Sequence, residues 1–473
     1  MRILLIGDLH YRSDGISLIP ERKTKYGLEF LKRIKRKVKE NIDIVIMCGD
    51  ILDDGENPEN EKEYYEIKKV IDDFNVKKTL WVFGNHDKNP EKFYNIFGSN
   101  SKYYIDEEYV FYVFCDKYLE GDVCLREEKE IEDFIKIISQ NKGKKVIVIQ
   151  HNVILPKIES DYPYNISNAK EIHNLYKKNN VFFSISAHYH KGIKLKKIDG
   201  IYYFTLSAVC EEPFKYYIVE LKDPPSIKTE SLKNSVELVD YHCHTEFGYC
   251  AEDVSMEKII ERCDLLGVKK VYFTEHAGQL YLSREDYWKY KFFSGIDILK
   301  RERERKKDRI KEYVEKFKNL NTEKAGLGVE VEIDKDGKLT LLDEDRKYFE
   351  IIIGAVHYLP DEYFVSKSLL EKKFIWAVEK LVENKIDILA HPFRFFIRNN
   401  LESPKNIYRE ITKILKSGNV KAELNFHTNI PEPEFFRICI EEGVDIVFGS
   451  DSHNLLEFGD FSKHIDFMKN ILY

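Results

Sequence analysis

The 473-residue sequence has eight cysteines but no Cys-x-x-Cys pair and no evenly spaced cysteine framework. That pattern excludes a disulfide-stapled scaffold and points to a reducing compartment. No apolar run is long enough to cross a bilayer. Met1-Arg2 leads directly into an apolar strand pattern, with no leader of the secretory kind, so a cytoplasmic protein with no membrane partner is expected. A basic excess is missing too: the formal net charge is −7, and no global positive field draws the chain to nucleic acid. Local basic stretches, Lys32–Glu40 and the one starting at Lys300, fall in helical patterns where charge marks a solvated face. No repeat relates the two halves. What is present is a globular composition, 43% hydrophobic and 33% charged, over a length too great for one core.

The first half alternates β-branched apolar runs (RILLIG, DIVIMCG, TLWVFG, KVIVIQ, FFSISA) with helical patterns such as Lys23–Glu40 and Glu59–Phe74, and closes on the strand-like IYYFTLSAV and FKYYIVELK. Residues 223–235, polar and carrying Pro224-Pro225, read as a linker. It would join a domain over 1–222 to one over 236–473. The second half offers seven strand candidates (VELVDY, KKVYFTE, GLGVEVEI, FEIIIGAV, DILAH, KAELNF, DIVFGS). Most are separated by helices such as MEKIIERCDLLG, a pattern that fits an α/β barrel better than an open sheet. The charged stretch from Gly278 to Lys324 is expected to be helical and to project from that barrel.

Polar residues collect at the strand ends, where α/β folds bind ligands. In the first half they are Asp8 and His10, Asp50 and Asp53, Asn85 and His86, His151, then His188 and His190. One His beside an Asp is usually structural; five successive strand ends carrying such groups are not expected by chance. Carboxylate, imidazole and amide donors suit Mn, Fe, Zn or Ni.

These residues resemble the calcineurin-like metallophosphoesterase family: DxH, GD, GNHD, a lone His and GHxH, with Ala187 where the family usually has glycine. The resemblance implies an α/β sandwich over 1–222 and a two-metal site. Asp8, His10, Asp50 and His190 would hold one metal. Asp50, Asn85, His151 and His188 would hold the other, with Asp50 bridging. His86 would face the leaving oxygen as general acid, or stabilise transition-state charge. Asp53 would orient His86 from behind, or merely cap its loop.

The second half repeats the theme with His242 and His244, Glu275 and His276, Glu330 and Glu332, His357, His391, Glu423 and Asn425, and Asp451 and His453. HxHT, TEH, GVEVEI, GAVHYL, AHP, ELN and GSDSH resemble, in order, the PHP (polymerase and histidinol phosphatase) family over about 236–473. That resemblance implies a distorted (β/α)7 barrel with two or three Zn, Mn or Fe ions. His242, His244, Glu330 and Asp451 would hold the first. Glu330, His357 and His391 would hold the second, and His276 and His453 belong to the third. Glu332 would lie behind the ligands or face solvent. Arg394 would meet a substrate phosphate or form a surface ion pair. Cys250 stands where histidinol phosphatase-like members often carry a His. It is either a third-metal thiolate ligand or an ordinary small buried thiol, with Glu252 or Asp253 as substitute donors.

Together the halves imply a metal-dependent hydrolase acting on phosphate mono- or diesters of small molecules or nucleotides at two sites, and the fusion suggests consecutive or complementary cleavage, such as a diester followed by the resulting monoester. Two alternatives stand beside it. One is a nuclease or DNA-repair enzyme, which the acidic balance and the lack of aromatic-basic repeats disfavour. The other keeps one domain as a metal-stabilised binding module.

Overall fold

The computed structural model describes residues 1–57, 60–98, 102–305 and 308–472. Glu59, Lys306, Lys307 and Tyr473, expected to fall in helical patterns or at a domain end, lie outside the described residues. The chain divides into two compact units, Met1–Lys233 and Asn234–Tyr473.

Among the described residues the first unit holds thirteen strands: β1 Arg2–Ile6, β2 Ile44–Cys48, β3 Lys78–Val82, β4 Tyr103–Ile105, β5 Tyr109–Val113, β6 Lys117–Tyr118, β7 Cys124–Leu125, β8 Lys145–Ile149, β9 Val181–Ser186, β10 Lys191–Ile198, β11 Ile201–Ser207, β12 Lys215–Glu220 and β13 Ser226–Ser231. They form one sheet in the order β13-β12-β1-β2-β3, a second in the order β10-β11-β9-β8-β5-β4, and the small pair β6-β7. Period-2 alternation builds the layers. Ile3, Leu5, Ile44 and Ile46 of the first sheet meet Phe111, Ile147, Ile149 and Phe183 of the second. On the second sheet's other face Tyr112, Val146 and Val148 pack under Phe134 and Tyr176. Those two residues come from helices Glu128–Gln140 and Ala169–Lys178. At about 1.5–3 kcal/mol per fully buried large apolar side chain, these layers dominate the stability of the sandwich.

Two expectations need correction here. Residues 223–235 are not a free linker: Ser226–Ser231 pairs antiparallel with all of β12, from Lys215↔Ser231 to Glu220↔Ser226. Pro224 and Pro225 fall in the turn of that hairpin, where proline's missing N–H costs no ladder bond. Of the basic stretch Lys32–Glu40, residues 32–37 lie on helix Gly27–Lys37 and 38–40 follow its end; within the helix Arg33 is buried and its Nε donates to Glu29 at 2.9 Å.

Among its described residues the second unit has seven parallel strands in sequential order: β14 Leu238–Cys243, β15 Val268–His276, β16 Ala325–Val331, β17 Ile351–Gly354, β18 Ile388–Leu389, β19 Lys421–Asn425 and β20 Ile446–Gly449. The ring closes just past the strand ends, where Asp451 N donates to His242 O at 2.7 Å and His244 N to Ser452 O at 3.1 Å. Local signals set the connections. Helix Met256–Leu266 starts on Ser255, whose side chain accepts from Lys258 N, and stops at Gly267 with φ +70°. The stretch 278–324 does not project: helix Arg309–Leu320 buries Ile310, Tyr313 and Val314, and Tyr313 OH donates to Phe273 O at 2.8 Å. An i, i+3, i+4 apolar stripe decides this despite the charge around it.

Candidate metal centres

In the first unit, strand ends of both sheets deliver the donors to one place. Asp8 follows β1, Asp50 follows β2, Asn85 follows β3, His151 follows β8 and His188 follows β9. The backbone there is strained: Asp8, His10, Asp50 and His188 all have φ between +45° and +66°, a conformation costing about 1–3 kcal/mol per residue and found at functional sites. Glycine makes the approach feasible. A Cβ on Gly84 would overlap Asp50 Oδ1 and its amide nitrogen, and one on Gly49 would overlap His151 Nδ1. Gly84→Ala should therefore displace Asp50. Metal content and kcat/KM of the first site should fall by roughly 10–100-fold, as when other groups that orient ligands are lost, while the second site is unchanged.

The histidines are oriented from behind. His151 Nδ1 lies 2.9 Å from Cys48 O, and His86 Nδ1 lies 2.8 Å from Asp53 O. A carbonyl only accepts, so each Nδ1 carries the proton and each ring presents Nε2. His10 Nδ1 meets Asp53 Oδ1 at 3.0 Å and His190 Nδ1 meets Glu211 Oε1 at 2.5 Å. His10 Nε2 and His190 Nε2 then face each other at 3.3 Å. With both Nδ1 protons donated elsewhere, each ring turns its Nε2 toward the other, an arrangement that suits a cation between them. Asp8 Oδ2, Asn85 Oδ1, His151 Nε2 and His188 Nε2 are buried without any hydrogen-bond partner. That mixed O/N set is what a borderline divalent metal takes.

Charge follows the same logic. Burial alone would raise the Asp50 carboxyl, but His151, His86 and His10 hold it well below the usual range. Burial pushes the His10 imidazole down to about 3 against its hydrogen bond to Asp53, leaving a neutral ring.

Asp53 reaches His86 in a way the sequence did not suggest. Its carboxylate bonds His10 and accepts from Arg22 Nη1 at 2.9 Å, and only its backbone carbonyl holds His86. Glu211 and Arg22 were not singled out from sequence. Glu211 is four residues beyond the end of β11, a strand end with no histidine to flag it.

In the barrel, His242 Nδ1 meets Glu423 Oε1 at 2.9 Å, His244 Nδ1 meets Glu275 Oε1 at 3.0 Å and His357 Nδ1 meets Glu332 Oε1 at 3.1 Å. Each carboxylate fixes a ring from behind, as in carboxylate–histidine–metal triads. Glu332 is thus buried behind the His357 ring and not solvent-facing. The Nε2 atoms converge: His242 and His244 at 3.3 Å, His244 and Asp451 Oδ1 at 3.0 Å, His391 and Glu330 Oε1 at 2.9 Å. Glu330 Oε1 is also 3.4 Å from His357 Nε2, and Oε2 is 2.6 Å from His276 Nδ1. Burial would raise the Glu330 carboxyl, but His276, His357 and His242 draw it well below the carboxylate range.

Ligand atoms of His244, His276 and His453 lie within 4.8 Å of one another. Cys250 joins His276 and His453 in the same cavity lining. Burial would raise its thiol, yet hydrogen bonds to His276 and His453 bring it down to about 5. Glu252 and Asp253 are exposed, and Asp253 Oδ1 accepts from Lys258 Nζ at 2.6 Å. Arg394 is no surface ion pair. It is 3% exposed, paired with Asp451, and donates to His391 Nε2 at 2.6 Å and His357 Nε2 at 3.1 Å.

Residues 1–192 match the calcineurin-like phosphoesterase family and residues 240–427 match the PHP domain family. A probable phosphatase from Clostridium novyi is 29% identical over 153 residues, 30% of this chain and 58% of that protein. The DNA polymerase/3'-5' exonuclease PolX of Bacillus subtilis is 24% identical over 263 residues, 51% of this chain and 41% of that protein. A dimetal phosphatase from Danio rerio superposes with a TM-score of 0.40 at 15% identity, over 49% of this chain and 96% of that one. The chain spans about half the length of the curated relatives it matches. It joins a calcineurin-like phosphoesterase domain to a PHP domain.

Proposed function

We propose that the chain hydrolyses phosphate mono- or diesters at two separate metal centres, one per domain. The observation that carries this reading is the convergence of oriented imidazole Nε2 atoms and orphaned buried oxygens in both units. Asp8, His10, Asp50 and His190, with Asn85, His151 and His188, would hold two ions in the first. His242, His244, Glu330, His357, His391 and Asp451 would hold two in the second, and His276, His453 and Cys250 a third. Such ions, when bound, polarise a phosphoryl group and supply hydroxide near neutral pH. His86, its ring fixed through Nδ1, lines a cavity of about 970 Å³; in its doubly protonated form it would give the Nε2 proton to the leaving oxygen as the P–O bond breaks, the Nδ1 proton staying hydrogen-bonded to Asp53 O. The second site's cavity is about 410 Å³. The test is a panel of monoesters, diesters and nucleotides, run with and without chelator. Chelator-sensitive turnover is expected, and its absence across the panel sinks the reading.

Cys250 supplies a separate check. As a thiolate ligand it should resist alkylation until metal is chelated, and Cys250→Ala should lose one metal while the others stay. Equal alkylation with and without metal, and an unchanged metal count in the variant, would make it an ordinary thiol.

A second reading, action on nucleic acid, rests on the similarity to PolX. It requires single-stranded DNA binding that weakens steeply with salt.

A further inference from the structure

The stretch 278–324 packs onto the barrel, and the proposed hydrolysis does not by itself say what it does there. Cys250 stands in a run of turns, residues 244–255, between β14 and helix Met256–Leu266. Turns have no ladder of their own, so their backbone groups must find partners elsewhere. One tie runs to the ligand cluster itself, where Glu252 N donates to His453 O at 2.7 Å. Others run to the stretch 278–324. Tyr249 N donates to Gln279 Oε1, and Tyr249 OH donates to Leu282 O at 2.8 Å. Phe247 O accepts from Arg309 Nη2 at 2.5 Å.

Arg309 and Gln279 work as one unit. Arg309 Nη1 donates to Gln279 O at 2.5 Å, so the guanidinium spans two carbonyls, one on each segment. Its flat face lies over the Tyr249 ring, 4.7 Å from the centroid. A planar fork can make this two-point tie while it stacks, and a lysine ammonium cannot. The helix Arg309–Leu320 sets where Arg309 stands, its first turn capped by Asp308 Oδ1 accepting from Lys311 N at 3.1 Å. Gln279 is fully buried on the short helix Ala277–Tyr281, three residues beyond His276. Both ends of its amide are spent on the Cys250 turn. Oε1 accepts from Tyr249 N, and Nε2 donates to Cys250 Sγ at 3.6 Å. The thiol held in this way lines the same cavity as His276 and His453.

We infer that Arg309 and Gln279 are positioning residues for the third ion of the barrel: they clamp the Cys250 turn to the stretch 278–324 and so hold the thiol at His276 and His453. This rests on the reading of Cys250 as a ligand and adds what keeps it in place. Neither residue is itself a donor to the ion or a contact of the substrate.

The test follows metal binding to the full chain, not turnover. Wild type, Arg309→Ala, Arg309→Lys and Gln279→Leu are stripped with chelator and titrated with cobalt(II). In the wild type the third ion of the barrel should bring a thiolate-to-cobalt absorption band that Cys250→Ala removes. In Arg309→Ala and Gln279→Leu that band should need roughly 10–100-fold more cobalt, the usual cost of losing a group that orients a ligand. Cys250 should also alkylate in these two variants at metal levels that protect it in the wild type. Arg309→Lys, which can keep one of the two carbonyl contacts, should fall between. The other ions of the chain should bind as in the wild type, which separates a lost clamp from an unfolded barrel. Wild-type cobalt affinity and full protection of Cys250 in both Arg309→Ala and Gln279→Leu overturn the inference and leave Cys250 a ligand. Equal loss of every barrel ion in both variants also overturns it, because the role would then be general to the barrel. A wild type with no such band, and with Cys250 alkylated equally with and without metal, overturns the ligand reading of Cys250 together with it.

Discussion

Asp50→Ala should abolish phosphoesterase activity of the first domain and leave the second domain's activity intact, and Glu330→Ala should do the reverse. Asp50 Oδ2 is 3.2 Å from His151 Nε2 and 3.5 Å from His10 Nε2. It thus faces both proposed ligand groups and is the group that would bridge their metals. Glu330 stands in the same relation to His242, His276, His357 and His391. Removing either carboxylate leaves several imidazoles around an uncompensated hole, so both ions of that site are lost or misplaced. A loss on the order of 10⁴-fold or more in turnover is expected, about 5.5 kcal/mol of transition-state stabilisation. Circular dichroism separates this from unfolding. If either change removed both activities while the chain stayed folded, the two centres would not be independent.

His86 should behave unlike any ligand. Its Nδ1 is tied to Asp53 O, it is partly exposed, and it lines the first site's cavity. His86→Ala should keep the first site's metals and lower turnover by roughly 10²–10⁴, the usual scale of general acid–base help. The loss should shrink on esters with activated leaving groups, which need no proton. An equal loss on activated and unactivated esters would assign His86 to charge stabilisation instead. Asp53→Asn distinguishes the neighbouring roles. The carboxylate holds His10 while the carbonyl holds His86, so this change should weaken metal binding more than it alters the leaving-group dependence.

The donors at the strand ends were legible because chemistry and topology coincide there. DLH, GD and GNHD follow apolar runs whose alternation already marks them as buried strands, and the barrel's seven strands announce themselves in the same way. The groups that orient those donors were harder to read. Glu211 lies 21 residues from its partner His190 and Glu423 lies 181 from His242, and only the folded sheet brings such pairs together. Glu275 and Glu423 were visible as polar residues at strand ends, yet whether each grips a metal or a histidine depends on where its side chain points. Strand β13 was hidden by Pro224-Pro225, which mark a turn as readily as a linker. The insertion at 278–324 looked solvent-borne because its charge outweighs the short apolar stripe of Ile310, Tyr313 and Val314. Arg309 reaches Phe247 across 62 positions, and no motif marks either.

Metal content per chain, measured by mass spectrometry on the folded protein and its two bridging-carboxylate variants, bears most directly on the two-centre architecture. The wild type should hold about four to five equivalents, with Asp50→Ala losing two and Glu330→Ala retaining the two of the first domain. A wild-type chain saturating at two equivalents or fewer, or a single variant that empties both domains while folded, would contradict it.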